Sequence, residues 1–307
     1  MSIGKGIRRL ISWKGLRSFF RHFWGALFYA LEGRESFCVT ILGPRGSGKT
    51  TFIARYYEYL RDHMDIHWSA TCDDEETEKY LASVLKALKE GNLKPTEKIH
   101  PLRITTSGKR EDLPKSIRLL TYDLPGKEEE WGKWDQEMSS WDGVIFVLDP
   151  MDRREESKDL VETCLRKLRH YAPDIPIAFV FSKMDHPNIP QELEQDLSRQ
   201  GADYFSYQAR YFARQEYPGA YKVSKAYFET EYFALSAFGD WMEKRSSSKE
   251  VLVPDPHKPP VGIHLPFEWI YQRIWRKYQK KGFLLFLFAI LLPLFLILAI
   301  LFLIFKL

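Results

Sequence analysis

The chain is poor in cysteine, which excludes two broad classes at once. Its three cysteines, Cys38, Cys72 and Cys164, are widely spaced in 307 residues. They make neither a metal-binding motif nor a disulfide framework, and such usage fits a reducing cytosol. No internal repeat is present, which leaves out repeat architectures. Position 2 is Ser rather than Gly, which excludes N-myristoylation. Residues 1–31 contain no acid, and no small-residue cleavage site follows them. Arg17 and Arg21 also interrupt the apolar run there, so a secretory signal peptide fits poorly.

Charge is absent altogether from Gly282–Phe305, a run of 24 residues in which only Gly282 and Pro293 disfavour a helix. As a helix it covers about 36 Å, enough to cross a hydrocarbon core of about 30 Å with some tilt. Pro293 is expected to kink it, which lipid tolerates. Arg273, Arg276, Lys277, Lys280 and Lys281 precede the run and only Lys306 follows it. The basic side stays cytoplasmic, so the expectation is a single-pass, C-terminal tail anchor with the rest of the chain in the cytosol.

The formal charge of +4 conceals a polarity. Twelve of the 45 basic residues lie in 1–31, 273–281 and at 306, stretches without an acid, leaving 33 basic against 41 acidic residues elsewhere. In residues 1–31 the bases alternate with Ile7, Leu10, Ile11, Trp13, Leu16, Phe19, Phe20, Phe23, Trp24, Leu27 and Phe28. Three- and four-residue spacing gives a helix with a basic face, suited to a membrane interface or, alternatively, to packing on the globular part. Both basic ends suit anionic lipid. Because the bases cluster beside these segments, no nucleic-acid partner is expected.

The most informative run is Gly43-Pro44-Arg45-Gly46-Ser47-Gly48-Lys49-Thr50, which fits G-x-x-x-x-G-K-[ST] at every fixed position. It follows the apolar stretch Phe37–Leu42, read as a buried strand, and precedes a helix from about Thr51 to Arg61. That strand–loop–helix context makes it a phosphate-binding loop. Its glycines let successive amides turn toward one point, and the helix adds its positive end. Lys49 then reaches the β- and γ-phosphates and the Thr50 hydroxyl ligates Mg²⁺. Thr51 belongs with the same nucleotide contacts.

Further along, Asp73–Glu90 and Glu155–Tyr171 read as amphipathic helices. Leu102–Thr106 and Ile117–Tyr122 read as strands joined by a hairpin connection, and Val144–Asp149 and Ile177–Phe181 as buried strands. Gln191–Gln200 reads as a short polar helix, Phe233–Leu235 as a last short strand and Ala237–Lys244 as a closing helix. The alternation predicts an α/β three-layer fold with a mostly parallel sheet. The predicted domains are a basic helical segment over 1–35, a nucleotide domain over 36–245, a Pro-rich linker and juxtamembrane segment over 246–281, and the membrane helix over 282–305. The linker holds Pro254, Pro256, Pro259, Pro260 and Pro266.

Three later motifs address which nucleotide is bound. Asp123-Leu124-Pro125-Gly126 follows a strand in the D-x-x-G pattern, whose Asp holds Mg²⁺ through water and whose Gly donates an N–H to the γ-phosphate. Ser182-Lys183-Met184-Asp185 resembles the [NT]-K-x-D motif, in which the carboxylate accepts from guanine N1 and N2 while the Lys stem covers the ring. Ser236-Ala237 resembles the S-A motif, whose backbone N–H contacts guanine O6. In this order, each at a strand end, the four motifs resemble the Ras-like small GTPases of the translation-factor-related P-loop class, over about residues 36–245.

The resemblance implies GTP or GDP with Mg²⁺, a ligand at the carboxyl ends of the parallel strands, and a protein effector or regulator. It implies Mg²⁺ ligation by Thr50, Asp123 and a first-switch Thr, best placed at Thr96, with Thr105 and Thr106 as rivals inside a strand. Ser182 stands where Asn or Thr is usual. Lys127 stands where many relatives carry the water-orienting Gln, so slow hydrolysis is expected. Arg45 either neutralises γ-phosphate charge from within the chain or points to solvent. Lys49, Arg45 and Lys127 are the candidate catalytic residues. Two rival readings are a P-loop ATPase and a membrane scaffold that binds nucleotide without turnover. The long segments before Thr96 and over His186–Tyr232 are candidate effector or partner surfaces; the second is rich in aromatics.

Overall fold

Three continuous apolar hexapeptides build the centre of the protein in the computed structural model. They are β1 (Phe37–Leu42), β5 (Gly143–Leu148) and β6 (Pro176–Phe181), and every residue of each is buried. Such runs suit parallel strands covered on both faces. The structure describes residues 37–62, 68–90, 100–108, 116–123, 138–184, 186, 188–189, 202–237, 241–246, 249–255, 258, 260–286, 297, 298, 300 and 301. The chain divides into two units. The larger comprises Ser36–Glu111 and Lys115–Tyr271. The described part of the smaller is 272–286 with 297, 298, 300 and 301.

The remaining elements of the larger unit are α1 (Lys49–Asp62), β2 (Trp68–Cys72), α2 (Glu75–Glu90), β3 (His100–Gly108), β4 (Ser116–Asp123), α3 (Glu155–Tyr171), α4 (Ala202–Glu216), α5 (Pro218–Tyr227), β7 (Glu229–Ala234), β8 (Trp241–Ser246) and β9 (Lys249–Pro254). The last helix, α6 (Leu265–Phe286), begins in this unit. The main sheet has the order β2-β3-β4-β1-β5-β6-β7. From β4 to β7 it is parallel, while β3 pairs antiparallel with both β4 and β2. This is the α/β, mostly parallel architecture that the alternation of elements predicts.

One face of the sheet presents Cys38, Leu42, Phe146, Leu148, Phe179 and Phe181 to Leu160, Val161, Cys164, Leu165 and Leu168 of α3 and to Phe212 and Tyr217. The opposite alternation, Val39, Ile41, Ile145, Val147, Ala178 and Val180, is equally buried, so the second face is covered too. The first turn of α6 contributes to closing the unit there: Phe267 stacks on Tyr56 at 3.7 Å and on Phe52 at 5.2 Å, both from α1.

Several elements differ from expectation. Where Ala237–Lys244 reads as a closing helix, Trp241–Ser246 is instead a strand, β8, paired antiparallel with β9. The eight-residue pattern is too short to hold a helix alone, and the Val251-Leu252-Val253 segment of β9 supplies backbone partners. The helix that closes the unit is α6, which starts inside the stretch read as a linker. The aromatic insertion contains α4 and α5; its Phe212 and Tyr217 pack on Phe181, whereas Tyr207 and Tyr211 are exposed. The edge strand β2 has no counterpart in the reading above.

Among the described residues no helix is long and apolar enough to cross a membrane. The helix α6 runs on to Phe286, through the basic residues Arg273–Lys281. Residues 287–296, 299 and 302–305 of the predicted span, the segment 1–35 and the polar helix 191–200 lie outside the described residues.

Candidate nucleotide site

Because β4, β1, β5, β6 and β7 are parallel, their carboxyl ends share one edge. Along that edge come Asp123, the Gly43–Thr50 loop, Asp149, the Ser182–Met184 loop and Ser236-Ala237. The loop reverses through three glycines with positive φ: Gly43 at 151°, Gly46 at 85° and Gly48 at 90°. A Cβ on Gly43 would run into Val147 O and stand 2.9 Å from Ser47 Oγ, so the strand–loop junction admits only glycine. The loop then enters α1, whose N-terminal amides face the same edge. Lys49 is buried, and its Nζ donates to Gly43 O at 2.9 Å and Pro44 O at 3.0 Å, folding the side chain back along the loop. A glycine cradle, a helix N-terminus and an inward ammonium form a donor set that fits a di- or triphosphate.

Ser182 acts as a clasp. Its buried Oγ is 2.8 Å from Ser47 O and 3.1 Å from Leu148 O, and shares its one proton between them, while its amide donates to Leu148 O at 2.9 Å. Its side chain therefore braces the phosphate loop from the head of the Ser182-Lys183-Met184-Asp185 motif. Lys183 has φ 60° and its Nζ donates to Asp149 Oδ2 at 2.5 Å. The next amide, Met184 N, donates to Leu235 O at 3.2 Å, and Leu235 N donates to Phe181 O at 3.0 Å. These bonds bring the Ser182-Lys183-Met184 and Ser236-Ala237 loops side by side.

Several residues at or beside this edge belong to no motif. Asp149, at the end of β5, holds Lys183 and also accepts from Met151 N at 2.9 Å. Arg154 donates through Nη2 to Arg45 O at 3.2 Å and is itself fixed by Asp152, through Nε at 2.8 Å and Nη2 at 2.7 Å. The Arg154 guanidinium, with the Ser157 hydroxyl, holds the Asp152 carboxyl down at about 2. Burial pushes the Tyr217 phenol up, with the Asp152 and Asp149 charges adding to it. Arg55 on α1 reaches Ala237 O. The signal for Arg55 was slight: one basic residue on a helix turn otherwise filled by Ala54, Tyr56 and Tyr57.

Of the other sequence-derived candidates, Arg45 is exposed, Thr50 and Thr51 are half-buried in the first turn of α1, and Ser236 and Ala237 are buried. Asp123 ends β4 opposite Ile41, at the sheet edge that bears the loop. Thr96, Gly126, Lys127 and Asp185 lie outside the described residues. Thr105 is bonded to Asp73 at 2.5 Å within the β3–α2 region. Among the described residues no cluster of His, Cys, Asp or Glu forms a metal site. A Mg²⁺ ion held by Thr50 and Asp123 with phosphate and water needs no such cluster.

No family model matches the chain. It is 33% identical over 92 residues to the small COPII coat GTPase SAR1 of Giardia intestinalis, an alignment of 29% of this chain and 46% of that protein. The chain thus spans about half the length of the curated relative it matches. Among solved structures, it is similar to the Arl6 (BBS3) small GTPase from Trypanosoma brucei with bound nucleotide analogue GppNp, with 16% identity and a TM-score of 0.44 over 78% of this chain and 98% of that one. The similarity to small GTPases is therefore partial.

Proposed function

We propose that this chain is a GTP-binding protein of the Ras-like, translation-factor-related class, acting as a nucleotide-dependent switch on a membrane. The observation that carries the reading is the edge where the glycine-lined loop around Lys49 meets two loops tied by the Met184–Leu235 hydrogen bond. In this reading Gly43, Arg45, Gly46, Ser47, Gly48, Lys49, Thr50 and Thr51 surround the phosphates. Lys183, Asp185, Ser236 and Ala237 read guanine, with Ser182 at the head of the same base-side motif. Thr50, Thr96 and Asp123 would hold Mg²⁺, which would supply charge neutralisation at the phosphates. Gly126 senses the γ-phosphate, so that two loops order with GTP and relax after hydrolysis. Lys49→Ala is expected to abolish binding of GTP and ATP alike. Asp185→Asn is expected to remove the preference for GTP over ATP while retaining triphosphate binding. Fluorescent GTP displaced by unlabelled GTP or ATP measures both, and unchanged selectivity in Asp185→Asn would sink the guanine assignment.

A second reading, a membrane scaffold that binds nucleotide without turnover, is favoured by Lys127 at the usual position of the water-orienting Gln. Single-turnover hydrolysis with and without cell lysate separates slow catalysis from none.

The membrane part of the proposal rests on the uncharged run 282–305 and on the apolar residues described within it. Phe283, Leu284, Ile297, Leu298, Ile300 and Leu301 are all exposed. The helix is proposed as a single-pass anchor with the nucleotide domain on the cytoplasmic side, assisted by the basic N-terminal segment on anionic lipid. Full chain synthesised with liposomes is expected to float with them and to resist carbonate extraction, and a chain ending at Lys281 to be extracted. Equal behaviour of the two would remove the anchor from the proposal.

A further inference from the structure

Arg55 is the most heavily committed side chain near the site that the nucleotide reading does not use. It is buried, with 6% of its surface exposed, six residues after Lys49 on α1. Its Nε donates to Ala237 O at 2.9 Å and its Nη2 to Lys258 O at 2.8 Å, while Nη1 pairs with the Glu58 carboxylate. Lys89 Nζ lies 3.2 Å from the other oxygen of Glu58. A guanidinium taken out of water is tolerated only when its donors are matched, and its fixed fork suits two carbonyls from separate segments. Those segments are the base-reading loop and a strap formed by Lys258 and residues 260–264. They also hold each other directly: Ser236 N donates to Val261 O at 3.1 Å, and Val261 N to Ser236 O at 2.8 Å. The strap is pinned on its far side by His264 stacked on Tyr59 at 5.2 Å and by Phe267 on Tyr56.

We propose that Arg55 is a positioning residue for guanine recognition, and that the strap is the other half of its brace. The Ser236-Ala237 backbone is clamped between the α1 guanidinium and the Val261 pairing, which fixes where its amides point. Occupancy of the site and docking of the strap therefore stabilise each other by the same factor. A partner that peels the strap away would speed release of the bound nucleotide. The inference rests on the GTP-binding reading.

The test uses the full chain in detergent, with GDP and with 2-aminopurine riboside diphosphate, which keeps the phosphates and the purine but lacks the 6-oxygen. Arg55→Met and Val261→Pro, the latter removing the N–H that Ser236 O accepts, are each expected to weaken GDP about tenfold and the 6-deoxy nucleotide less than twofold. Arg55→Lys, with one donor head in place of a fork, is expected to fall between. General damage to the fold would weaken both ligands alike, and that outcome, or no change in either, overturns the proposal. Hydrogen exchange in the nucleotide-free proteins gives a second measurement. The Ser236 and Val261 amides should exchange faster in Arg55→Lys than in the parent chain, and equal rates would overturn the brace. If the parent chain binds no GDP, the guanine reading falls, while the exchange result still decides whether the brace exists.

Discussion

Removing the Ser182 hydroxyl should loosen the phosphate loop. In Ser182→Ala the Ser47 carbonyl loses a donor at 2.8 Å and the Leu148 carbonyl a longer one at 3.1 Å, though the latter keeps the Ser182 amide. A typical intramolecular hydrogen bond contributes about 1 kcal/mol, and stranding a buried acceptor costs about 1–3 kcal/mol. Ser182 is only 4% exposed, so water replaces its hydroxyl poorly, and a cost of about 2 kcal/mol is expected. About half of that, expressed on the loop, corresponds to roughly fivefold weaker nucleotide binding, since 1.4 kcal/mol is a factor of ten. Urea unfolding and titration with a fluorescent GDP analogue measure the two parts. Ser182→Thr keeps the hydroxyl and should restore most of both. If Ser182→Ala matches the parent chain in midpoint and affinity, or if Ser182→Thr is no better than Ser182→Ala, the clasp does not hold the loop.

Two further substitutions probe the same edge. Gly43→Ala should be worse than Gly46→Ala: the first drives a methyl into Val147 O, whereas the second meets nothing within 4 Å and incurs only left-handed backbone strain of about 1–2 kcal/mol. Soluble yield and GDP binding would rank them, and a reversed order would contradict the loop geometry. Asp152→Asn tests the acid held by Arg154. The folded carboxyl sits at about 2 against an ordinary 3.8, so its stabilisation is complete above about pH 4 and fades as pH falls toward 2. The stability gap between parent and variant should stay constant from pH 7 to 5 and narrow below 4. A gap that is flat down to pH 3 would remove the ion pair as its cause.

Local pattern made much of the site legible. Gly43–Thr50 between an apolar hexapeptide and a helix is recognisable because each glycine and the lysine act within one turn of their own backbone. Asp123, Ser182 and Ser236 were found because each follows a strand whose own residues announce it. Contacts between distant segments were not legible in this way. The motif marks Ser182, but the reach of its hydroxyl to Ser47, 135 residues away, is set by the fold. Helix α6 looked like a linker because prolines dominate its approach. Only the stacking of Phe267 on α1 shows that its first turn completes the domain.

What the sequence determined by itself was periodicity and local chemistry: buried strands, a phosphate-shaped turn, a charge-free tail, and the order of motifs. Only tertiary structure decided that Arg55 spans to Ala237 and Lys258, that Asp149 holds Lys183, and that Arg154 grips the loop carbonyl of Arg45. The physical reason is that a hydrogen bond depends on distance in space. A sequence states that distance only for groups a few residues apart, and the packed sheet sets it for all the others.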